Sequence, residues 1–161
     1  EHYRRLYGSD GWVEEAWVNY YGVVRNRDFV GWRSLAEVLV RSVHAFSKRP
    51  IVVVNFGDVD PNFDPERYDR LVVLHARNAR AKHLNFNFNK LRASLLVRAK
   101  VGVSVDTDLF VLHADADRLF EGAAREITAD HPHPMMPTHT LDVKYKCKSC
   151  PTPTLRWGQA Q

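Results

Sequence analysis

The sequence predicts an α/β fold in which a mostly parallel sheet is flanked by helices. Two short and wholly apolar runs, at residues 51–54 and 71–74, are typical of parallel strands that are buried on both faces. Segments with apolar residues at helical spacing lie between such runs and predict the order β-α-β-β-α-β. The chain has 161 residues, of which 45% are hydrophobic, and this is enough for one such domain but short for two.

The first strand and the first helix precede residue 51. Residues 17–24 are rich in aromatic and β-branched side chains and end at a polar stretch, which predicts a strand followed by a loop. Ser34 and Glu37 have the spacing of a capping box, so we expect Ser34 to cap the helix that follows. The residues predicted to face the sheet are Leu35, Val38, Leu39, Val43 and Phe46. Pro50 then ends the helix.

The later elements complete the sheet. The two apolar runs are its second and third strands, and the stretch 55–68 between them contains Gly, Asp and Pro residues that predict a loop. A second helix is predicted over residues 88–100, a fourth strand over 101–105, and a brief capped helix over 115–120. The leucines expected to face the sheet from the second helix are Leu91, Leu95 and Leu96.

Composition divides the chain into three parts. Residues 1–16 are predicted as an N-terminal extension, and residues 17–125 as the α/β domain. Residues 126–161 are predicted to be irregular, because the stretch from His131 onward holds five of the eight prolines and both cysteines. The chain begins at Glu1 without an apolar signal core, so we interpret it as a processed product or a clipped segment.

Charge and hydropathy exclude several classes of protein. The 23 Lys and Arg residues against 19 Asp and Glu residues give a net charge of +4, which favours anionic ligands only weakly. No basic tract or zinc-finger spacing accompanies this charge, so nucleic acid is not expected as a partner. No apolar run approaches the roughly 20 residues of a bilayer crossing, and no membrane span is predicted.

Polar residues follow each predicted strand. Ligands of open α/β sheets bind outside the carboxyl ends of the strands, so we expect a binding crevice at these residues. In strand order the residues are Arg25 and Asn26, then Asn55, Gly57 and Asp58, then His75, and finally Asp106 and Asp108.

The triplet Asp106-Thr107-Asp108 is the strongest candidate site among these. Residues two apart in an extended backbone point to the same side, so both carboxylates can approach one hard divalent cation. Two further Asp-x-Asp triplets occur at residues 58–60 and 115–117, but only the one at 106–108 lies between two apolar runs. A turn with solvated carboxylates at the end of the strand is the alternative interpretation.

Three motifs follow one another in the second half of the chain. A Phe-x-Lys-Leu pattern occupies residues 88–91, an Asp-x-Asp pattern residues 106–108, and an Asp-x-Leu-Phe pattern residues 117–120. In this order they resemble the glycosyltransferases of the GT-A fold, nearest to the family 8-like glycogenin and galactosyltransferase type. The resemblance covers residues 18–120 and implies a GT-A-like, Rossmann-like domain that is truncated in this chain.

The resemblance also implies a function and a set of site residues. It implies transfer of a sugar from a nucleotide-diphospho-sugar, with a UDP-sugar as the expected donor and an acceptor that it does not identify. Asp106 and Asp108 would hold Mn²⁺ or Mg²⁺, and Lys90 and Arg92 would approach the diphosphate, whose charge increases as the sugar leaves. The other donor-binding residues would be Arg25, Asn26, Asp28 and Thr107. For a eukaryotic source, the family's usual compartment is the Golgi lumen or the secretory pathway.

The C-terminal segment supports a non-catalytic alternative. Cys147 and Cys150, together with two of His131, His133 and His139, have the ligand types of a tetrahedral zinc site in a binding module. A pair of loop cysteines, either free or disulfide-bonded, is the simpler interpretation. His139 is also a candidate for a third ligand of the divalent metal.

A phosphatase of the haloacid dehalogenase type is a second alternative. In such an enzyme Asp106 would be the nucleophile and Asp108 the general acid. That pattern expects Thr or Val at the position of Phe110, and it belongs on the first strand of its domain. About a hundred residues precede the triplet in this chain, so the sequence favours the glycosyltransferase interpretation.

Overall fold

The computed structural model describes residues 5–22, 31–61, 63–77 and 85–126. In these ranges four strands form one sheet, accompanied by three α-helices. The strands are β1 (Val13–Tyr21), β2 (Ile51–Asn55), β3 (Leu71–His75) and β4 (Ala99–Val105), and the helices are α1 (Trp32–Phe46), α2 (Asn85–Val97) and α3 (Arg118–Glu126). The α/β class and the order β-α-β-β-α-β are confirmed. None of the helices described in these ranges is long and apolar enough to cross a bilayer.

The sheet has the strand order β3-β2-β1-β4, and all neighbouring strands are parallel. Trp17 of β1 pairs with Ile51 of β2 on one side and with Val103 of β4 on the other. The first three strands therefore follow one another across the sheet from β1 to β3, and β4 pairs with the opposite side of β1. In sheets of this kind a ligand crevice opens where the direction of building reverses, here between the carboxyl ends of β1 and β4.

The central strand β1 begins at Val13, so the predicted start at residue 17 is wrong. Two consecutive glutamates, Glu14 and Glu15, concealed this part of the strand from sequence analysis. Lys100 Nζ lies 2.5 Å from the Glu14 carboxylate, and Arg49 pairs with Glu15, so neighbouring elements neutralise both charges. The backbone can then pair with β4 from Val13 onward.

Helix α1 begins at Trp32, and the predicted capping box at Ser34 is wrong. Gly31 precedes the helix in the left-handed region, with φ 72°, which favours glycine, and among the residues that the structure describes no side chain caps this end of the helix. The backbone N–H of Ser34 donates to the Gly31 carbonyl at 2.9 Å, which places Ser34 in the first turn. The fully buried residues of α1 are Ala36, Leu39, Val40 and Val43, whereas Val38 and Phe46 are exposed.

Helix α2 presents a different face to the sheet from the one predicted. Leu91 and Leu95 are 70% and 78% exposed, and Leu96 is also exposed, so the predicted contact of these leucines with the sheet is wrong. Within residues 88–97 of the helix, the fully buried residues are Asn89, Ala93 and Val97. Ala93 is small and allows the helix to approach the sheet closely, which apolar spacing alone does not indicate.

The sheet carries a hydrophobic core on each face. On one face Trp17 and Tyr21 pack with α1 and with Phe120 of α3, and on the other Val18 and Val52 pack with α2 and with Tyr7. The Tyr7 hydroxyl donates to the Val97 carbonyl at 2.8 Å, which attaches the segment before β1 to the end of α2. These two layers hold α1 and α2 against the sheet on either side of the crevice.

The predicted helix at residues 115–120 is longer than expected and starts differently. A 3₁₀ turn, Ala114–Asp117, precedes α3, and the His113 side chain accepts a hydrogen bond from the Asp115 N–H. Asp117 accepts hydrogen bonds from Ser47 Oγ at 2.5 Å and from the Lys48 N–H at 2.9 Å. Its carboxylate therefore joins this region to the end of α1.

Candidate functional site

A cavity of about 320 Å³ opens at the carboxyl ends of β1 and β4. This is the position at which the strand order reverses, where parallel sheets bind their ligands. Its walls include the aromatic side chains Tyr20, Tyr21 and Trp32 and the charged side chains Lys90, Asp106 and Asp108. The cavity thus combines flat apolar surfaces with charged groups of both signs, a composition typical of small-molecule sites.

The two carboxylates of the cavity lie on a turn directly after β4. The Leu109 N–H donates to the Asp106 carbonyl at 3.0 Å and closes this turn. Asp106, Thr107 and Asp108 all line the cavity; the two aspartates are exposed, whereas Thr107 between them is buried. The structure therefore brings together the two aspartates that sequence analysis paired.

Lys90 of α2 also reaches the cavity. Its Nζ lies 2.5 Å from Asp106 Oδ1, at the distance of a charge-assisted hydrogen bond. The two side chains are 32% and 51% exposed, so water screens this ion pair and its contribution to folding is small. Lys90 was predicted from a motif on a different element, and the fold places it beside the aspartates.

Asn19 supports the turn from inside the sheet, and sequence analysis missed it. This asparagine of β1 is fully buried, and its Nδ2 donates to the Val105 carbonyl at 3.0 Å and to Thr107 Oγ1 at 3.2 Å. Thr107 Oγ1 in turn donates to the Tyr20 carbonyl at 3.0 Å. The only signal in the sequence is an amide within the otherwise aromatic and apolar run of residues 16–21. Because the Thr107 hydroxyl gives its single proton to Tyr20, it cannot donate to a ligand while this bond persists.

A second buried asparagine lies beside Lys90. Asn89 is fully buried and hydrogen-bonds the Tyr20 hydroxyl. Burial raises the pKa of Tyr20, and the hydrogen bond from Asn89 offsets part of this increase. Tyr20 is therefore neutral at physiological pH, and its contact with Asn89 restrains the first turns of the helix that carries Lys90.

Arg92 lies one turn beyond Asn89 and serves a different contact. Its guanidinium packs over the Phe56 ring at 5.4 Å, donates to the Arg77 carbonyl at 2.9 Å, and approaches Asn89 Oδ1 at 3.3 Å. It does not line the cavity at the aspartates. In the structure Arg92 connects α2 to the segments that follow β2 and β3.

The polar residues after β2 and β3 surround a second, more open cavity of about 510 Å³. Asn55 is buried and donates from Nδ2 to Asp60 at 3.1 Å, and His75 Nδ1 lies 3.7 Å from the same carboxylate. Asp58, of the Asp-x-Asp triplet at residues 58–60, lines this cavity. Asp60 is therefore engaged by Asn55 and His75.

Several predicted site residues lie outside the part of the chain that the structure describes. These are the donor-binding candidates Arg25, Asn26 and Asp28, and the metal-ligand candidates His131, His133, His139, Cys147 and Cys150. The structure therefore places Lys90, Arg92, Asp106, Thr107 and Asp108 from the predicted set. Tyr20, Tyr21 and Trp32 are cavity residues that sequence analysis did not select.

Two carboxylates are the candidate metal ligands of the cavity among the described residues. In the described ranges no three His, Cys, Asp or Glu side chains come together, so Asp106 and Asp108 are the protein ligands that this region offers. Ions of the Mg²⁺ type keep several waters and bind through one or two carboxylates and the phosphates of a substrate. Two carboxylates on one wall suit such an ion, whereas a zinc cage needs more protein ligands.

Comparison of the chain with protein-family models, with curated proteins and with solved structures gives no match. The fold and the site are therefore interpreted from the chain's own residues. What they show is an α/β domain with an all-parallel sheet, consistent with a Rossmann-like arrangement, and a charged cavity at the reversal of its strand order.

Proposed function

We propose that this chain is the donor-binding domain of a GT-A-like, metal-dependent glycosyltransferase. It would bind a nucleotide-diphospho-sugar, with a UDP-sugar as the expected donor, together with Mn²⁺ or Mg²⁺, and the complete protein would transfer the sugar to an acceptor. The observation that carries the proposal is the convergence of Lys90, Asp106 and Asp108 on one cavity where the strand order reverses. The three residues come from two motifs whose order in the sequence resembles that family.

The charges of the cavity suit a diphosphate. Asp106 and Asp108 would hold the divalent ion, which when bound neutralises the negative charge that develops on the departing diphosphate. Lys90 supplies a second positive charge beside the aspartates, and its ammonium group can donate to phosphate oxygens. In the structure the ion pair with Asp106 keeps the Lys90 ammonium group at the cavity.

The aromatic walls of the cavity suit the uncharged parts of such a donor. Tyr20 and Trp32 offer flat apolar surfaces to a nucleobase or a sugar ring. A volume of about 320 Å³ is at the lower end of small-molecule sites, which reach ~1,000 Å³, so the cavity would enclose one part of a donor. We assign the diphosphate to it, because its charged residues lie there.

Calorimetric titration of UDP into the protein, with and without Mn²⁺, tests the proposal. We expect binding that requires the metal and that is lost in the double variant Asp106→Asn, Asp108→Asn, because amides replace both anionic ligands at nearly the same size. The control is the double variant Asp115→Asn, Glu121→Gln, which removes the same amount of charge from exposed residues that do not line the cavity. It should bind like the wild type.

Two results would contradict the proposal. The first is a folded wild-type protein that does not bind UDP at millimolar Mn²⁺. The second is binding that persists unchanged in the Asp106 and Asp108 variant, since the nucleotide would then occupy a different site. Equal losses in the variant and in the control would indicate that net charge, rather than these two carboxylates, determines affinity.

Lys90→Gln should weaken UDP binding about tenfold or more in the presence of Mn²⁺. The substitution removes a charged hydrogen-bond donor to phosphate, and such bonds contribute ~1.5–3 kcal/mol. Lys48→Gln is the control, because Lys48 is exposed and does not line the cavity. The same calorimetric titration measures both variants, and a Lys90→Gln protein with wild-type affinity would remove this lysine from the site.

A further inference from the structure

We propose that Asn19 is a positioning residue, which acts through Thr107 to set the turn that carries Asp106 and Asp108. Its effect on ligand binding rests on the proposed function, since that proposal assigns the metal and the diphosphate to this turn. The inference concerns β1, an element that neither the Asp-x-Asp motif nor the lysine motif includes.

Hydrogen bonds connect β1 and the turn in both directions, since Asn19 donates to the turn and Thr107 donates back to β1. A carbonyl can only accept, so the bond to the Val105 carbonyl at 3.0 Å identifies the Asn19 atom as the amide nitrogen. The second hydrogen on this nitrogen then reaches Thr107 Oγ1 at 3.2 Å, and Thr107 passes its own proton to the Tyr20 carbonyl at 3.0 Å. Both hydrogens of the amide are thus used on the end of β4 and on the turn.

The burial of Thr107 explains how this anchoring orients the aspartates. Thr107 is 8% exposed, whereas Asp106 before it and Asp108 after it are exposed, and all three residues line the cavity. A turn whose middle residue is held inside by two hydrogen bonds has little freedom to rotate. The carboxylates of Asp106 and Asp108 are consequently presented to the cavity together.

Packing of the sheet does not account for Asn19. The residue is fully buried in the central strand, and its Oδ1 has no hydrogen-bond partner among the residues that the structure describes. A buried acceptor without a donor is unfavourable, and an apolar residue of similar size would avoid it. The two hydrogen bonds that the Asn19 amide donates, rather than the size of the side chain, therefore explain an asparagine at this position.

Three variants test the proposal: Thr107→Val, which removes the hydroxyl at constant size, Thr107→Ser, which keeps it, and Asn19→Leu. The first readout is hydrogen exchange of the Leu109 amide without ligand, because this amide closes the turn. The second is the affinity for UDP with Mn²⁺. We expect Thr107→Val and Asn19→Leu to exchange faster at Leu109 and to bind about tenfold more weakly, and Thr107→Ser to stay within about threefold of wild type.

Ser94→Ala is the matched control, since it also removes one hydroxyl, whose hydrogen bond is to Ser104 of β4 rather than to the turn. It should leave both readouts unchanged. Wild-type exchange and affinity in Thr107→Val would overturn the proposal, and so would a Thr107→Ser protein as impaired as Thr107→Val, because the methyl group would then be responsible. If Asn19→Leu does not fold, the two Thr107 variants decide.

The two proposals fail differently in this experiment. A wild-type protein that does not bind UDP with Mn²⁺ overturns the proposed function and the effect of Asn19 on the ligand. A wild type that binds, accompanied by a Thr107→Val protein that binds equally well, overturns the role of Asn19 alone. The exchange of Leu109 reports on the turn itself in either case.

Discussion

Phe120→Ala should lower the free energy of unfolding by about 3–5 kcal/mol, the range for removal of a large aromatic side chain from a core. Phe120 is fully buried, and its ring packs edge-on against Trp17, with 5.0 Å between ring centroids. The Arg49 guanidinium lies 5.8 Å from the same ring. The substitution would leave a cavity between α3 and the central strand, and chemical denaturation followed by circular dichroism measures the loss.

Leu119→Ala provides the control on the same helix. Leu119 is 40% exposed, so its truncation removes little buried surface and should change stability by less than about 1 kcal/mol. A similar effect of the two substitutions would contradict the packing of Phe120 against Trp17. Small domains have only about 5–15 kcal/mol of stability in total, so Phe120→Ala should also lower the melting temperature strongly.

Asp117→Ala should destabilise the protein by about 2–4 kcal/mol, because it leaves several donors without an acceptor. Ser47 Oγ and the Lys48 N–H donate to this carboxylate, and Arg49 Nη1 lies 3.8 Å from it. Ser47 is buried and also accepts from the Trp17 indole at 2.8 Å, so the loss extends to the core. The same denaturation experiment measures it.

Two further variants define the cause of this effect. Asp117→Asn keeps one acceptor oxygen and should lose about half as much stability as Asp117→Ala, on the scale of single hydrogen bonds. Asp115→Ala removes the other, exposed aspartate of the same triplet and should have little effect. If Asp115→Ala and Asp117→Ala proved equally destabilising, acidity at the start of α3, rather than the bonds to Ser47 and Lys48, would be responsible.

The boundaries of β2, β3 and β4 were predictable to within one or two residues, and of these three strands only β2 is buried along its whole length. β2 and β3 each extend one residue beyond the apolar run that predicted them, and β4 begins two residues earlier than residue 101. Burial on both faces demands a continuous apolar run, so the sequence of such a strand contains its own boundaries. The start of β1 was missed because partners remote in the sequence neutralise its glutamates.

The faces of the helices were less predictable. Apolar spacing selected Leu91 and Leu95 for the sheet side of α2, where the structure has Asn89, Ala93 and Val97. A small residue at a close contact and an amide with a buried partner both lack an apolar signal. Which side of a helix packs depends on the shape of the surface that it meets, which no local window of sequence describes.

The candidate site divides in the same way. Asp106 and Asp108 were predictable, because two charges between apolar runs at the end of a strand are visible in the sequence. Asn19, Tyr20 and Trp32 were not, since all three lie more than 50 residues away from the aspartates along the chain. Tyr20 and Trp32 share the cavity with the aspartates, and Asn19 supports their turn. The motif that includes Asp117 was interpreted by resemblance, and the structure shows its contacts with Ser47 and Lys48.

The sequence by itself determined the α/β class, the order of the elements and the two aspartates after β4, because continuous burial and charge at a strand end are local properties. The tertiary structure decided that β4 lies beside β1, and with it the cavity where Lys90 meets Asp106 and where Asn19 supports the turn. Contacts between residues distant in the chain arise only when strands pair across the sheet. Their partners are therefore a property of the topology rather than of any segment of sequence.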